Sequence, residues 1–101
     1  MENIEFINEK GARSIGEVKV YALSTCAFCK KALKFLRENS INFMYIYVDD
    51  MEHDDKQALK KKLKERYKKD VGFPFMVIND DRVIVGFLEK EYKKLLTEEG
   101  A

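Results

Sequence analysis

In the stretch Ser24-Thr25-Cys26-Ala27-Phe28-Cys29-Lys30-Lys31, two cysteines stand three positions apart, and the 101-residue chain has no others. The apolar run that precedes it, residues 18–23, is rich in β-branched and aromatic side chains, which favours a buried strand. The residues that follow, 30–39, repeat apolar side chains at helical spacing. A strand, a Cys-x-x-Cys pair and a helix in this order indicate a dithiol redox site.

The predicted position of the two cysteines at a helix N-terminus suits thiol chemistry. The thiolate is the nucleophilic form of cysteine, and the N–H groups and positive dipole end of a helix stabilise negative charge. If the helix begins near Ala27, Cys26 is its N-cap, and Cys29 lies one turn later, close enough for a disulfide. Lys30 adds positive charge. We therefore expect Cys26 to attack a substrate disulfide and Cys29 to resolve the mixed disulfide.

Two other interpretations of the cysteine pair stay open at this point. A Cys-x-x-Cys can be half of a zinc site, but structural zinc usually takes four ligands, and His53 is the only histidine of the chain. No metal site is therefore predicted. The cysteines can also be small apolar core residues without redox activity.

Composition narrows the functional classes. The formal net charge is +1, so the overall charge gives no support for binding to nucleic acid. No apolar run approaches the length of a membrane-spanning helix, and the first residues lack the pattern of a signal peptide. We therefore expect a cytoplasmic monomer without nucleic-acid or membrane partners, in a reducing compartment where a cysteine pair is more often catalytic than structural.

The rest of the chain predicts one α/β domain with a short N-terminal extension. We assign residues 1–16 to the extension, in which Ile4, Phe6 and Ile7 fit either a short edge strand or one helical turn. Residues 17–101 form the domain. Its predicted order is β-α-β-α-β-β-α: strand 18–23, helix 27–39, strand 43–48, helix 54–68, strand 74–78, strand 83–85 and helix 88–98.

The helix predicted at 54–68 is strongly basic. A solvated helix face explains this charge, and a docking surface for an acidic protein is the alternative. The basic residues of this region are Lys56, Lys60, Lys61, Lys62, Lys64, Arg66, Lys68 and Lys69.

From Val18 to about Leu96, the chain resembles the glutaredoxin branch of the thioredoxin-fold proteins. The resemblance is carried by three motifs in the family's order: Thr25-Cys26-Ala27-Phe28-Cys29, Gly72-Phe73-Pro74 and Val85-Gly86-Phe87. It implies a four-stranded mixed sheet flanked by helices, and a cis proline beside the cysteines whose neighbour's backbone pairs with an extended substrate. It also implies that the residues shaping the substrate groove are Thr25, Phe28, Phe73, Pro74 and Gly86.

Several positions at which glutaredoxins commonly contact glutathione differ in this chain. Leu23 stands where a lysine usually meets the glycine carboxylate, and Gly72 replaces a threonine. Val85-Gly86 replaces a Gly-Gly pair, and Leu88 stands where an acidic residue meets the α-amine, with Glu89 one position away. The loss of a charged contact costs on the order of 1–3 kcal/mol. Of the two candidate electron donors, glutathione and a thioredoxin reductase, we therefore expect the reductase.

These observations predict a glutaredoxin-like thiol–disulfide oxidoreductase that reduces protein disulfides through Cys26 and Cys29, with no bound cofactor. Redoxins that serve ribonucleotide reductase are similar in size and in the choice between these two electron donors, so that enzyme is a candidate acceptor. Two alternatives stay open. Some glutaredoxins bind an iron–sulfur cluster between two chains through the first active-site thiolate and glutathione. A thioredoxin-like fold can also be a docking module whose cysteines do no redox chemistry.

Overall fold

A computed structural model of the chain describes residues 5–98, which form a five-stranded mixed sheet with helices on both faces. The elements are β1 (Ile7–Glu9), β2 (Val18–Ala22), α1 (Ala27–Glu38), β3 (Phe43–Tyr47), a short 3-10 helix (Val48–Asp50), α2 (His53–Tyr67), β4 (Phe75–Ile78), β5 (Arg82–Val85) and α3 (Glu89–Glu98). The strands lie side by side in the order β1-β3-β2-β4-β5. Only β2 and β3 are parallel neighbours in this sheet. Within this part of the chain, none of the helices has the length and apolar character needed to cross a bilayer.

The unit β2-α1-β3 forms as the sequence predicts, and from β2 onward the bounds of the elements differ from the predicted ones by single residues. For example, β4 begins at Phe75 rather than at Pro74, because proline has no N–H to donate to a strand ladder. The buried side chains of α1 are the predicted stripe: Cys29, Ala32, Leu33 and Leu36. Helical spacing places them on one face, which packs in the same apolar cluster as β2.

The sheet has one strand more than the four-stranded sheet that the resemblance implies. β1 pairs antiparallel with β3, and Ile7 lies opposite Tyr45. Arg37 of α1 supports this strand, because its Nη2 lies 2.6 Å from a carboxylate oxygen of Glu9. The N-terminal segment thus forms the edge strand that was one of the two conformations predicted for it. Ile4, which shares that prediction, lies outside the described residues.

Two apolar clusters form the core, one on each face of the sheet. The cluster under α1 and α3 contains Cys29 and Tyr92, both fully buried, and also Ile15 from the segment before β2. The cluster under α2 contains Leu59 and Leu63. Residues of the N-terminal segment therefore take part in the same core as the rest, and the division of the chain at residue 16 stays a prediction.

The hairpin between β4 and β5 is tied to the C-terminal end of α2. Asp80 in this hairpin accepts hydrogen bonds from Arg66 Nε at 3.1 Å and from the Tyr67 hydroxyl at 2.6 Å. Because β4 runs antiparallel to β2, with Ile78 opposite Val18, the hairpin lies at the end of the sheet where β2 begins. The cysteines follow the other end of β2.

Candidate active site

Cys26 is the N-cap of α1, as the sequence predicts. Its carbonyl accepts a hydrogen bond from Lys30 N at 3.1 Å, and its Sγ accepts one from Cys29 N at 3.2 Å. A sulfur in this place meets both an N–H group and the positive end of the helix dipole, which stabilise negative charge. The side chain is partly exposed. Cys26 is therefore the more exposed of the two cysteines.

Cys29 lies one turn further along α1 and is fully buried. Its Sγ accepts a hydrogen bond from Leu23 N at 3.4 Å. Burial, and after it the hydrogen bond with Cys26, raise the pKa of the Cys29 thiol to about 12. The pair is thus asymmetric, because one sulfur is accessible at the helix end and the other stays protonated inside the core.

The Phe73-Pro74 peptide bond is cis, as the resemblance implies. Phe75 pairs with Tyr21 across the sheet, so the proline before it lies at the end of β2 that leads to the cysteines. Phe73 is half-buried and packs against both apolar clusters. The structure therefore places Phe73 and Pro74 at the same end of the sheet as Cys26.

Gly86 supports this proline from the end of β5. Its N–H donates a hydrogen bond to the Pro74 carbonyl at 2.8 Å. Its φ is +84°, a left-handed conformation that favours glycine. Gly86 thus fixes the backbone beside Pro74, and direct substrate contacts of Phe73, Pro74 and Gly86 stay predictions.

The remaining predicted site residues lie exposed around the start of α1. Thr25 and Lys30 are both exposed. Phe28 is 58% exposed, and Lys31 Nζ lies 5.4 Å from the centre of its ring, within the range of a cation–π contact. Thr25, Phe28, Lys30 and Lys31 thus lie close to Cys26 along the chain with their side chains exposed or in contact with an exposed ring, and we call these four residues the rim.

A groove of about 440 Å³ lies between α1 and the start of α3. Lys31 lines this groove and also contacts Phe28, so the groove lies next to the rim. The other lining residues are Lys34, Phe35, Glu38, Phe87 and Glu89. A larger cavity of about 680 Å³ lies between α2 and the hairpin end of the sheet, and neither cysteine is among its described lining residues. Because the reactive groups are at the other end, we place the candidate site at Cys26.

The sequence does not reveal a link between the active-site turn and the end of β3. Ser24 N donates a hydrogen bond to Asp49 Oδ1 at 2.9 Å, and the Ser24 hydroxyl donates one to Asp49 Oδ2. These hydrogen bonds lower the pKa of Asp49. The link exists because β3 is parallel to β2, so the residues that follow the two strands meet at one edge of the sheet.

A model of the Glutaredoxin family matches residues 18–83, which include both cysteines and Pro74. A glutaredoxin-like 8.6 kDa protein in the rubredoxin operon of Clostridium pasteurianum is 35% identical over 81 residues, or 78% of this chain and 96% of that protein. The crystal structure of a glutaredoxin from Methanosarcina mazei Go1 is 35% identical, with a TM-score of 0.75 over 92% of this chain and 88% of that chain. The methanoredoxin of Methanosarcina acetivorans is 34% identical, with a TM-score of 0.77 over 89% of this chain and 94% of that chain.

Proposed function

The chain belongs to the glutaredoxin family, and we propose that it is a thiol–disulfide oxidoreductase that reduces disulfide bonds in other proteins. The family and the Cys26-x-x-Cys29 pair support a thiol-redox role. The observation that carries the finer assignment is the asymmetry of this pair. Cys26 is accessible at the N-cap of α1, whereas Cys29 is buried with a raised pKa. A nucleophile has to meet its substrate, whereas a resolving thiol reacts only with the sulfur beside it.

In the first step, the Cys26 thiolate attacks one sulfur of the substrate disulfide. A Cys26–substrate S–S bond forms, the substrate S–S bond breaks, and the departing substrate thiolate takes up a proton. Before the attack, the N–H of Cys29 and the N-terminus of α1 stabilise the Cys26 thiolate.

In the second step, Cys29 loses its proton and its thiolate attacks Cys26 Sγ. The Cys26–Cys29 disulfide forms, the mixed disulfide breaks, and the second substrate thiolate takes up a proton. The substrate gains two electrons and two protons, and the protein loses them. The contact of 3.2 Å between Cys29 N and Cys26 Sγ keeps the first sulfur beside the residue that attacks it.

The surface around Cys26 supports binding of a polypeptide substrate. Phe28, in the first turn of α1 beside Cys26, is 58% exposed, and Leu88, which precedes α3, is 51% exposed. An exposed aromatic ring next to the reactive cysteine offers apolar contact area to a substrate chain. The groove between α1 and α3 lies next to this rim, with Lys31 in common. The proposed substrate surface also includes Thr25, Phe73 and Gly86, and Pro74, which is buried, shapes this surface from beneath.

For the electron donor, we propose a thioredoxin reductase rather than glutathione. Leu23 stands where glutaredoxins commonly use a lysine, and its side chain packs half-buried against both apolar clusters. Leu88 takes the place of the acidic residue. The neighbouring Glu89 is already paired with Lys93, at 2.8 Å, which lowers the pKa of Glu89. The charged contacts for a tripeptide are thus replaced or occupied at these positions.

We further propose a cytoplasmic setting, in which cellular reductases keep thiols reduced. Ribonucleotide reductase is one candidate acceptor, because the redoxins that serve it are similar in size and in the choice between these two electron donors. Neither step needs a bound cofactor, since the electrons move by thiol–disulfide exchange.

The assignment of the two cysteines is tested with Cys26→Ser and Cys29→Ser in an NADPH-coupled assay on insulin. The turnover of Cys26→Ser should be more than about 100-fold lower than that of the unaltered protein, because a hydroxyl does not replace a thiolate nucleophile. Cys29→Ser should keep the first attack and accumulate the mixed disulfide, which mass spectrometry detects. The two variants are matched controls, since each removes one sulfur. Full turnover by Cys26→Ser would overturn the assignment.

The electron donor is tested in two parallel assays of the unaltered protein. One contains glutathione and glutathione reductase, and the other contains thioredoxin reductase without glutathione. Activity only with thioredoxin reductase is the expected result. Activity only with glutathione would show that the departures at Leu23, Gly72 and Leu88 do not prevent glutathione binding.

A further inference from the structure

The groove between α1 and α3 combines aromatic lining residues with charged ones. Phe35 and Phe87 are half-buried and line the groove, with ring centres 6.2 Å apart. Leu88 stands between two of the lining residues and is exposed. The removal of such apolar area from water is favourable. The groove therefore offers contact area to a chain that binds beside Cys26.

The two carboxylates among the described lining residues of this groove already have lysine partners. Lys34 Nζ lies 4.0 Å from a carboxylate oxygen of Glu38, and Lys93 Nζ lies 2.8 Å from one of Glu89. The hydrogen bond from Lys93 is the main reason why the pKa of Glu89 is lowered, and the charge of Lys31 adds to this effect. Neither carboxylate depends on Lys31 for its ion pair.

Lys31 lines the same groove and makes no ion pair with any of residues 5–98. Its Nζ lies 5.4 Å from the centre of the Phe28 ring, in the first turn of α1. A cation–π contact positions an ammonium group but does not neutralise its charge. Lys31 therefore carries an unneutralised positive charge at the place where the groove meets the rim.

The distance along α1 from Cys26 to Lys31 matches a short stretch of an extended substrate. Five residues of an α-helix span about 7.5 Å along its axis. Two residues of an extended chain span about 7 Å. A side chain two positions from the substrate cysteine can therefore lie beside Lys31 when that cysteine is bonded to Cys26. A carboxylate suits this place, because it forms a charge-assisted hydrogen bond with an ammonium group.

We propose that Lys31 is a specificity-determining residue, through which the groove selects polypeptide disulfides with an acidic side chain about two positions from the cysteine. This inference rests on the proposed function, because it concerns the chain that Cys26 attacks. The substrate carboxylate pairs with Lys31, and apolar neighbours in the substrate cover Phe28 and Leu88. Glutathione also carries carboxylates, but a tripeptide covers less of this apolar area than a longer chain does.

The test uses three peptide disulfides that differ only in charge. Each is a homodimer of acetyl-Ala-X-Ala-Cys-Ala-X-Ala-amide, in which X is Glu, Gln or Lys. Because X stands on both sides of the cysteine, the direction in which the peptide binds does not matter. The reduced protein is mixed with excess peptide and quenched with acid, and chromatography of the released peptide thiol gives the rate constant of the attack by Cys26. Each rate constant is divided by that of dithiothreitol, which corrects for the reactivity of the peptide itself.

We expect the corrected rate constant of the unaltered protein to be about two- to fivefold higher for the Glu peptide than for the Gln peptide, as for an exposed ion pair. It should be lowest for the Lys peptide. In Lys31→Gln the ratio of Glu to Gln should fall to about one, and about 0.5 M salt should have the same effect on the unaltered protein. The matched control is Lys62→Gln, which removes the same charge from α2 near the hairpin end of the sheet and should keep the ratio.

Other outcomes overturn the inference in distinct ways. A ratio of one or less in the unaltered protein would show that the groove does not favour an acidic side chain. An unchanged ratio in Lys31→Gln would show that Lys31 does not determine the preference. An equal fall in Lys62→Gln would show that the overall charge acts rather than the groove. If the unaltered protein attacks none of the three peptides, the proposed function itself fails.

Discussion

Two aspartates at opposite ends of the sheet hold two loops in different ways. Asp49, near the cysteines, accepts hydrogen bonds from the backbone and the hydroxyl of Ser24. Asp80, in the β4–β5 hairpin, accepts hydrogen bonds from Arg66 and Tyr67. These hydrogen bonds are the main reason why the pKa of Asp49 is lowered and that of Asp80 falls to about 2.

The two links differ in the charge of the donors. Arg66 pairs the charge of Asp80, whereas Ser24 is neutral and holds Asp49 without neutralising it. The Asp49 carboxylate therefore acts on its surroundings, and it contributes to the raised pKa of Cys29. At the hairpin, the charge of Arg66 neutralises that of Asp80. At the active-site turn, the neutral donors of Ser24 leave the negative charge of Asp49 in place, and such a charge disfavours the ionisation of a nearby thiol.

The first prediction compares the left-handed glycines at the two ends. Gly16, at the hairpin end, has a φ of +111°, and an added Cβ would lie 2.5 Å from Asn79 Oδ1. That oxygen accepts a hydrogen bond from Glu17 N at 2.9 Å. Gly86, at the active-site end, has a φ of +84°, and an added Cβ would have open space.

We expect Gly16→Ala to lower the free energy of unfolding by about 2–4 kcal/mol, from backbone strain and the disturbed Asn79 hydrogen bond. Gly86→Ala should cost only about 1–2 kcal/mol, from strain alone. Urea titrations of both variants measure the difference. Equal losses would show that the crowding at Asn79 is relieved at no cost.

The second prediction compares the two aspartates in catalysis. Asp49→Ala removes both hydrogen bonds to Ser24 and loosens the turn that carries Cys26, so the attack by Cys26 should slow about tenfold. Asp80→Ala should leave this rate within about twofold, because the hairpin is at the other end of the sheet. The rate of this attack is measured in both variants by stopped flow, from the first coloured thiolate that the reduced protein releases from 5,5′-dithiobis(2-nitrobenzoate). A similar loss in both variants would remove the functional distinction between the links.

The third prediction isolates the charge of Asp49. Asp49→Asn keeps an oxygen that can accept from Ser24 but removes the carboxylate, so the pKa of the Cys29 thiol should fall. At a fixed pH near neutrality, the attack of Cys29 on the mixed disulfide, which releases the second coloured thiolate, should then become about twofold faster. The effect is modest because solvent screens an exposed charge. Added salt should reduce the difference between the variant and the unaltered protein. If the attack by Cys29 is slower in Asp49→Asn than in the unaltered protein at all salt concentrations, the charge of Asp49 does not have this role.

The fourth and smallest effect concerns acid stability. The pKa of Asp80 is about 2 in the folded chain, against an ordinary value of 3.8, so its contribution is present above about pH 4 and is lost as the pH falls toward 2. The midpoint of urea unfolding of Asp80→Asn should therefore change less than that of the unaltered protein between pH 4 and pH 2. Because this ion pair is exposed, the difference should be small and should shrink in salt. Identical pH profiles would show that Arg66 does not stabilise the folded chain through this charge.

Local patterns in the sequence predict most of the fold, and partners distant in sequence decide the rest. Cys29, Ala32 and Leu33 recur at the spacing of a helix, so they predict both α1 and its buried face. β1 has only three residues, and Ile7 in it is 50% exposed, so neither period nor burial identifies it as a strand. Its conformation depends on pairing with the free side of β3, which the local sequence does not encode.

The candidate site shows the same division. Cys26, Cys29 and Pro74 belong to short motifs, so they could be predicted from the sequence. Asp49 stands in an acidic loop in which any carboxylate fits a turn, and only the parallel pairing of β2 and β3 brings it to Ser24. Lys31 is one of several exposed lysines of α1, and its place in the groove becomes apparent only when the start of α3 lies beside that helix.

The strand added by the N-terminal segment also affects how the sheet meets other molecules. Without β1, the five-residue strand β3 would be an edge strand, and its unpaired N–H and C=O groups could pair with a strand of another molecule. Instead, the edge strands are β1, which has three residues, and β5, which has four. Short border strands offer few backbone groups for intermolecular pairing, which protects a sheet against aggregation. A molecule that exposes the apolar ring of Phe28 at one end of its sheet can thus have sheet edges that offer little to a second copy of the chain.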